Sequence, residues 1–354
     1  WTILAYLITF ALGQPFLAPL ADRFGRKPIL IVGLLTFIVG SLMAACTDSI
    51  YLFYLARLIQ GLGLTSTAVM MKVLAADCFQ GLELVKVMTY AIVVYGFGPI
   101  IAPLLGAYLT HLWGWQSNFI VLAAFGGILL IMVVFLLRET KPEHTVVNLS
   151  TFLENVRMVL TDVNTVAAFI CGGICFSVSY TFNMLAPFLI QNVLGYGIVS
   201  YGYISLCVGA AYLLGSISNR VFIKYFRVDS ILRVGLFSNA VVAMVMFVAL
   251  HYFFNNVYAL ILPSMVIVFI SGAMLPNFIA KGISVIAPLK ATAGALSGFV
   301  MMLVAALVVA INGFLGVTSL STLSVIYIAI SLIALLTHGL VILIARKKEK
   351  CHVR

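Results

Sequence analysis

Long apolar runs separated by short polar connectors dominate the chain. Each run is continuous and close to the ~20 residues that an α-helix needs to cross a bilayer, whereas a barrel strand would show about ten residues of alternating polarity. Eleven runs lie at about 2–20, 28–46, 50–71, 88–110, 118–137, 165–190, 199–219, 230–250, 257–279, 291–316 and 322–345. The pattern therefore predicts an all-α polytopic membrane protein with eleven spans.

Composition supports this prediction. The 354 residues are 64% hydrophobic and 8% charged, with a mean hydropathy of +1.20, whereas about a quarter of the residues in soluble domains are charged. These values exclude a soluble domain, a disordered chain and a disulfide scaffold. Eleven spans also leave no room for a large extramembrane domain.

The basic residues predict the topology. All 20 Lys and Arg residues except Arg57 fall in alternate connectors or at the C-terminal end, and the connectors between them hold none. The positive-inside rule makes the basic side cytoplasmic, with the C-terminus on that side of a bacterial inner membrane. The net charge of +10 is then a topological signal and no indication of nucleic-acid binding.

A central polar segment predicts the domain organisation. Residues 1–137 form an N-terminal bundle, 138–164 a cytoplasmic linker, 165–345 a C-terminal six-helix bundle and 346–354 a basic tail. Because the first span must start outside, we expect one further helix before Trp1, completing a second bundle of six. Residues 18–23 resemble 215–220, and two related bundles around a midplane site are typical of alternating-access transporters.

The connector after the first run combines one acid, one glycine and three bases. Its residues are Asp22, Arg23, Gly25, Arg26 and Lys27. Asp22 could meet a neighbouring helix N-terminus, and the bases could pair with acids across the bundle, so the contacts would latch one conformation. The alternative is a short loop whose charges only set the topology.

Residues 18–27 resemble the loop between the second and third helices of the major facilitator superfamily, G-x-L-A-D-R-x-G-R-[RK]. The sequence departs from this motif only at Ala18. The resemblance implies two six-helix bundles with the first helix absent from this chain. It also implies a gating role for the loop, with its acid facing the helix that begins near Ala291.

Residues 57–63 place an arginine inside the third run. An arginine at this depth is costly and should face a polar cavity or a partner. Gln60 and Gly61 lie on roughly the same helix face as Arg57. The segment resembles the family motif R-x-x-Q-G-x-G, which implies proton coupling at Arg57 and Gln60. A structural arginine bonded to carbonyl groups is the alternative.

The fourth run is rich in glycine and proline, which allow close packing and bending. It is similar to the antiporter motif of drug-exporting family members, G-x-x-x-G-P-x-x-G-G, with looser spacing. The matching residues are Gly96, Gly98, Pro99, Pro103 and Gly106. The resemblance favours export, whereas a merely kinked helix is the alternative.

Two later segments resemble one subgroup of the family. Residues 272–277 and 291–298 look like the tenth and eleventh helices of the Bcr/CflA drug-resistance group, and Lys72 and Asp77 fit its pattern. This resemblance implies a multidrug efflux antiporter. It also implies that an acid of the helix before Trp1 carries the coupled proton.

Polar and aromatic residues within the runs are the candidate substrate contacts, since a few hydrogen-bonding groups in apolar walls suit amphipathic solutes. The selected residues are Tyr95, Tyr180, Asn183 and Asn277. Each has helix packing as its alternative role. His338 titrates in a suitable range for proton transfer but lies near a helix end, where a structural role is the simpler interpretation.

These observations predict a secondary transporter that exports drug-like or amphipathic solutes in exchange for protons. The alternatives are an exporter of one metabolite, such as a siderophore or amino acid, and a non-transporting sensor or scaffold. No catalytic constellation or metal-ligand spacing indicates an enzyme or a metal site. The expected partners are a small organic solute, protons and membrane lipid, with no nucleic acid and no cofactor beyond the proton gradient, for a protein acting as a monomer.

Overall fold

The predicted runs are helices in the structure. The computed structural model describes residues 1–140, 149–253, 256–285, 289–316 and 319–352, and within them there is no strand. The helices are α1 (Thr2–Phe24), α2 (Arg26–Cys46), α3 (Ile50–Cys78), α4 (Gly81–Trp113), α5 (Gln116–Leu136), α6 (Leu149–Thr161), α7 (Val163–Phe188), α8 (Ile198–Tyr225), α9 (Val228–Tyr252), α10 (Val257–Val285), α11 (Lys290–Leu315) and α12 (Ser321–His352). The prediction of an all-α membrane protein is confirmed.

The length and composition of the helices fit a bilayer. Within the described ranges, nine helices are long and apolar enough to span a membrane, and α1 and α4 contribute the shorter apolar stretches Thr2–Leu17 and Ile100–Trp113. Large apolar side chains also face outward, for example Phe135 at 80% exposure and Phe237 at 64%. Such extensive apolar exposure is unfavourable in water and suits lipid.

Local chemistry sets several helix ends. Gly25, Gly114 and Gly316 have positive φ values of 100°, 82° and 67° and end α1, α4 and α11. Asp162 caps α7 by accepting a hydrogen bond from the backbone nitrogen of Thr165 at 2.7 Å. Pro187 lacks an amide donor, and α7 passes into a π-helical turn at Leu189–Val193 just after it.

The first compact unit comprises Trp1–Glu154. Helix α3 packs against α1 and α2, and α2 also packs against α5. Ala21, Leu34 and Met70 form a buried cluster near the end where α1 turns into α2. This packing brings the first, second and third helices together at the predicted gating loop.

The second compact unit comprises Asn155–Arg354. Its central helix is α7, which packs against α10, α11 and α12, and 72% of its span is buried. Phe182, Phe278 and Tyr327 are fully buried in this core. The amphipathic α6 packs its buried Val159 in one cluster with Phe169, so α6 is joined to the second unit through α7.

Candidate functional site

Gly25 makes the turn between α1 and α2. Its φ of 100° and ψ of 154° lie in a region that is essentially restricted to glycine. A Cβ atom there would also lie 2.7 Å from Oε2 of Glu139. Glycine is therefore required twice, by the backbone conformation and by the nearby carboxylate.

Glu139 caps the start of α2. Its Oε1 accepts a hydrogen bond from the backbone nitrogen of Arg26 at 2.9 Å, and its Oε2 accepts one from that of Lys27 at 3.1 Å. A carboxylate here satisfies unpaired amides and interacts favourably with the helix dipole. Glu139 is not among the residues of the loop motif, although an acid just after the fifth run is a usable signal for such a cap.

Arg26 is the centre of the charged contacts. Its side chain forms ion pairs with Asp22 at 2.7 Å and Asp77 at 2.9 Å and donates to the carbonyl oxygen of Ala21 at 3.1 Å. Arg26 is only 4% exposed, so these acceptors compensate for lost hydration. The arginine thereby joins the end of α1, the start of α2 and the end of α3.

The other two bases of the loop have different surroundings. Lys27 Nζ donates to the carbonyl oxygen of Val134 at 2.8 Å, near the C-terminus of α5, where a cation interacts favourably with the helix dipole. The exposed Arg23 places its guanidinium 5.2 Å from the ring centre of Phe24. We call the six residues that meet here the α1–α2 cluster: Asp22, Gly25, Arg26, Lys27, Asp77 and Glu139.

Arg57 occupies a second polar site, within the first unit. Its guanidinium lies 4.6 Å from the ring centre of Tyr6 and 5.7 Å from that of Phe119, and it donates a hydrogen bond to Gln60. The Gln60 amide in turn donates to Ser41 Oγ at 2.8 Å. Within the described part of the chain, no carboxylate forms an ion pair with Arg57. The positive charge is therefore held by aromatic faces and an amide.

Glycines of the same motif bring the helices close enough for this network. A Cβ atom on Gly61 would collide with the carbonyl oxygen of Tyr6 in α1. A Cβ atom on Gly63 would lie 2.7 Å from the carbonyl oxygen of Gly33 in α2. The small residues that follow Arg57 are thus needed for packing, while Arg57 and Gln60 supply the polar groups.

The predicted antiporter residues lie in α4. A Cβ atom on Gly98 would meet no described atom within 4 Å, and one on Gly106 would lie 3.1 Å from Oδ1 of Asn118. Pro103 is half-buried in the same helix. The side chains of Tyr95, Gly96 and Pro99 lie outside the described residues, so their candidate roles stay predictions.

Tyr180 and Asn183 are half-buried on α7. The Tyr180 ring packs edge-on against Phe176 at a centroid distance of 5.1 Å. Asn183 Nδ2 donates to the carbonyl oxygen of Ser179 at 2.9 Å. On the same helix, Asn183 lies six residues and Tyr180 nine residues before the π-helical segment that begins at Leu189.

Asn277 forms a buried contact between α8 and α10. Its Nδ2 donates to Oδ1 of Asn219 at 2.8 Å, and Asn219 Nδ2 donates back at 3.3 Å. Each residue is 6% exposed. In this structure Asn277 therefore holds two helices together, and a solute would have to break this pair to bind it.

The second unit also contains an ion pair at the position that corresponds to Arg26 and Asp77. Asp229, at the start of α9, accepts from Lys281 Nζ near the end of α10 at 2.6 Å. In the first unit the base lies at the start of α2 and the acid near the end of α3. In the second unit the acid lies at the start of α9 and the base near the end of α10. Both units thus have an ion pair that links two helix ends, with the signs of the two residues exchanged.

Replacing Asn277 by alanine is expected to lower the free energy of unfolding by about 1–3 kcal/mol, because it leaves a buried amide of Asn219 without its partner. The double substitution of Asn219 and Asn277 should be less destabilising than the sum of the two single changes. Thermal unfolding followed by circular dichroism in detergent measures both effects.

Asn183→Ala provides the control, since among the described residues its amide hydrogen-bonds within its own helix, to Ser179. This change should cost less than about 1 kcal/mol. Additive effects of the Asn219 and Asn277 substitutions would contradict the paired arrangement.

Comparison with known proteins gives one family. Residues 1–309 match the family model described as Major Facilitator Superfamily. A solved structure, the xylose transporter XylE from Escherichia coli in a partially occluded inward open conformation, aligns with a TM-score of 0.70 and 14% identity, covering 95% of this chain and 85% of that one. At this identity the likeness shows the fold alone.

Curated relatives include proteins named for drug resistance. A bicyclomycin resistance protein homolog of Haemophilus influenzae is 24% identical over 237 residues, 66% of this chain and 60% of that protein. Multidrug resistance protein MdtL of Salmonella newport is 27% identical, with coverages of 68% and 61%. Multidrug resistance protein D of Escherichia coli is 29% identical, with coverages of 39% and 35%. The chain thus matches less than two thirds of the length of each relative.

Proposed function

Because the chain belongs to the Major Facilitator Superfamily of membrane transporters, we propose that it exports drug-like or amphipathic organic solutes in exchange for protons by alternating access. Family membership confirms the resemblance inferred from residues 18–27 and 57–63, and the relatives named for bicyclomycin and multidrug resistance confirm the Bcr/CflA resemblance. The family and the fold are those of multi-pass membrane transporters and not of enzymes.

The Arg57 site is the observation that supports proton coupling most directly. A permanent positive charge is costly inside a membrane span, and here it is held by the Tyr6 and Phe119 rings and by Gln60, with no carboxylate paired to it among the described residues. The charge would influence any proton that binds nearby, because electrostatic interactions are strong where water is scarce. Arg57 and Gln60 are therefore assigned the coupling role in this proposal.

The α1–α2 cluster supplies the conformational part of the proposal. Arg26 links three helix ends, and Glu139 fixes the start of α2. A set of charge-assisted hydrogen bonds that is fully satisfied in one conformation and must break in another makes a two-state latch. Asp22 and Asp77 would be the acids that release Arg26 when the transporter changes conformation.

Substrate binding is assigned to Tyr180 and Asn183, with Tyr95 and Asn277 as further contacts. Tyr180 offers an aromatic ring with a hydroxyl group, and Asn183 keeps its carbonyl oxygen for a ligand while its amino group bonds to Ser179. Such a mixture accommodates amphipathic solutes of different shapes. The protein would act as a monomer in the bacterial inner membrane with its C-terminus in the cytoplasm, using the proton gradient and no cofactor.

Transport in liposomes tests the proposal. We expect the reconstituted protein to move several unrelated amphipathic dyes against their gradients when an inward proton gradient is imposed, and a protonophore should abolish this movement. Proton entry should accelerate when a transported dye is added. Protein-free liposomes give the background rate.

The same assay separates the alternatives. Transport of a single metabolite with no dye transport would indicate a dedicated exporter. Neither solute movement nor substrate-stimulated proton flux would indicate a sensor or scaffold. Net dye movement against its concentration gradient in the absence of a proton gradient would contradict proton exchange.

A further inference from the structure

An apolar groove lies between α8, α9 and α10 on the surface of the second unit. Its volume is about 310 Å³, at the lower end of the ~300–1,000 Å³ range of ligand pockets. Its wall includes Phe222, Phe226, Ser230, Val234, Phe269 and Met274. Phe226 is 61% exposed and Val234 is 64% exposed, so the wall continues onto the outer face of the helices. We refer to this feature as the α8–α10 groove.

The groove runs inward from one end of a membrane span. Along α9 it is lined from Ser230, in the first turn, to Ser238. The eight steps from Ser230 to Ser238 correspond to about 12 Å along the helix axis. Gly235 lies between them, and a Cβ atom there would be 2.5 Å from the sulfur of Met274. Small residues on α9 therefore create a slot that begins at the membrane boundary and reaches into the apolar region.

Exposed bases lie in and beside the α8–α9 connector that contains Phe226, at one end of the groove. Lys224 lies two residues before Phe226 and Arg227 directly after it, and Arg233 follows one turn after Ser230. Arg233 Nε donates to the backbone oxygen of Asp229 at 3.2 Å. The carboxylate of Asp229 is paired with Lys281 and also interacts electrostatically with Arg233, so one acid faces several bases here. The entrance therefore carries a net positive charge directly beside an apolar slot.

We propose that the α8–α10 groove binds an anionic phospholipid, with one acyl chain in the groove and the phosphate held by Lys224, Arg227 and Arg233. The combination of charge and shape supports this ligand. Membrane topology requires bases in this connector but does not require an apolar slot beside them. An anionic headgroup complements the bases, and its acyl chain can fill the apolar slot. A second copy of the protein could fill the same slot only by inserting a bulky side chain.

Lipid retention tests the headgroup contacts. The full chain is reconstituted in vesicles of equal parts phosphatidylglycerol and phosphatidylcholine, extracted gently and examined by native mass spectrometry. We expect preferential retention of phosphatidylglycerol. The Lys224→Gln/Arg227→Gln variant should bind phosphatidylglycerol about 30-fold more weakly. Each base contributes a similar amount of binding free energy towards an anionic lipid, and the loss of two such contributions corresponds to this factor. The Lys86→Gln/Arg138→Gln control removes two exposed bases of the first unit and should retain the lipid normally.

A second variant tests the groove. Ser238→Trp fills the slot and leaves all the bases in place, so it should also lose phosphatidylglycerol. Val245→Trp adds the same side chain at a site on α9 that is 57% exposed and outside the groove lining, and it should behave like the unmodified protein. If Ser238→Trp does not fold, as judged by its elution as a single species, Ser238→Leu replaces it.

Several results would overturn the assignment. Equal retention of the two lipids would remove the headgroup preference. Normal phosphatidylglycerol binding by the folded Ser238 variant would mean that the bases act without the groove. A dimer that forms in the unmodified protein and is lost in the Ser238 variant would identify a second copy of the chain as the occupant.

Discussion

Replacing Gly25 by alanine is expected to lower the free energy of unfolding by about 2–5 kcal/mol. A side chain at φ 100° and ψ 154° is strained by about 1–3 kcal/mol. The new Cβ would also displace Glu139, whose hydrogen bonds to the backbone of Arg26 and Lys27 are charge-assisted. Denaturant unfolding in detergent, followed by circular dichroism, measures the loss.

Gly316→Ala is the matched control. Gly316 has a φ of 67° and a ψ of 161° at the end of α11, and a Cβ atom there would meet no described atom within 4 Å. This substitution introduces the backbone strain without a displaced carboxylate. If Gly25→Ala is no more destabilising than Gly316→Ala, the Glu139 contact contributes nothing.

A double substitution isolates the carboxylate. In a Glu139→Ala background, Gly25→Ala should cost only the strain, because the hydrogen bonds that it would break are already absent. Equal costs of Gly25→Ala in the two backgrounds would contradict the proposed role of Glu139 as the cap of α2.

Arg57→Ala is expected to reduce proton-driven export by about 100-fold or more, the scale of losing one essential charged group. Exchange of labelled for unlabelled solute across the membrane without a proton gradient should continue. Arg57 is assigned to proton coupling and not to solute binding, so solute exchange does not depend on it. Proteoliposomes with and without an imposed pH gradient measure the two activities separately.

Two further substitutions make this test specific. Arg57→Lys keeps the charge but loses the flat guanidinium that lies over the Tyr6 and Phe119 rings, so we expect partial coupling. Arg157→Ala removes an exposed arginine of α6 and should leave both activities intact. Unchanged gradient-driven export by Arg57→Ala would show that the coupling assignment is wrong. Loss of both activities would show a structural role.

The helices were predictable because hydrophobic length is a local property. Every predicted run lies within one helix or passes its end by at most two residues, and several helices extend beyond the apolar run, as α3 does to Cys78. The extensions carry polar residues such as Asp77, which hydropathy assigns to a connector. Helix ends were thus less predictable, because main-chain hydrogen bonding continues past the point where the side chains stop being apolar.

The candidate sites were predictable in part, through motifs whose residues are neighbours in sequence. Gly25 and Arg26 stand in the loop motif, and Arg57 with Gln60 lies on one helix face. The partners were not predictable, because they come from other helices. Ser41 receives the Gln60 amide, and Tyr6 lies under the Arg57 guanidinium.

Asn277 shows the opposite case, in which a side chain selected for substrate binding is engaged by a helix neighbour. A polar residue within an apolar run looks the same in sequence whether it faces a cavity or another helix. Its partner Asn219 lies 58 positions away. Only the packing of α8 against α10 brings the two amides together.

The sequence by itself determined that this protein spans a membrane, which connectors carry its positive charge and to which family it belongs. These properties depend on composition and on residues close together in the chain, where hydrophobicity and charge act without reference to the fold. Tertiary structure alone decided that Arg26 is buried between Asp22 and Asp77 and that Glu139 caps α2. Those contacts join positions up to 113 residues apart, and a carboxylate stabilises a helix start or a buried base only when packing places it within hydrogen-bonding distance.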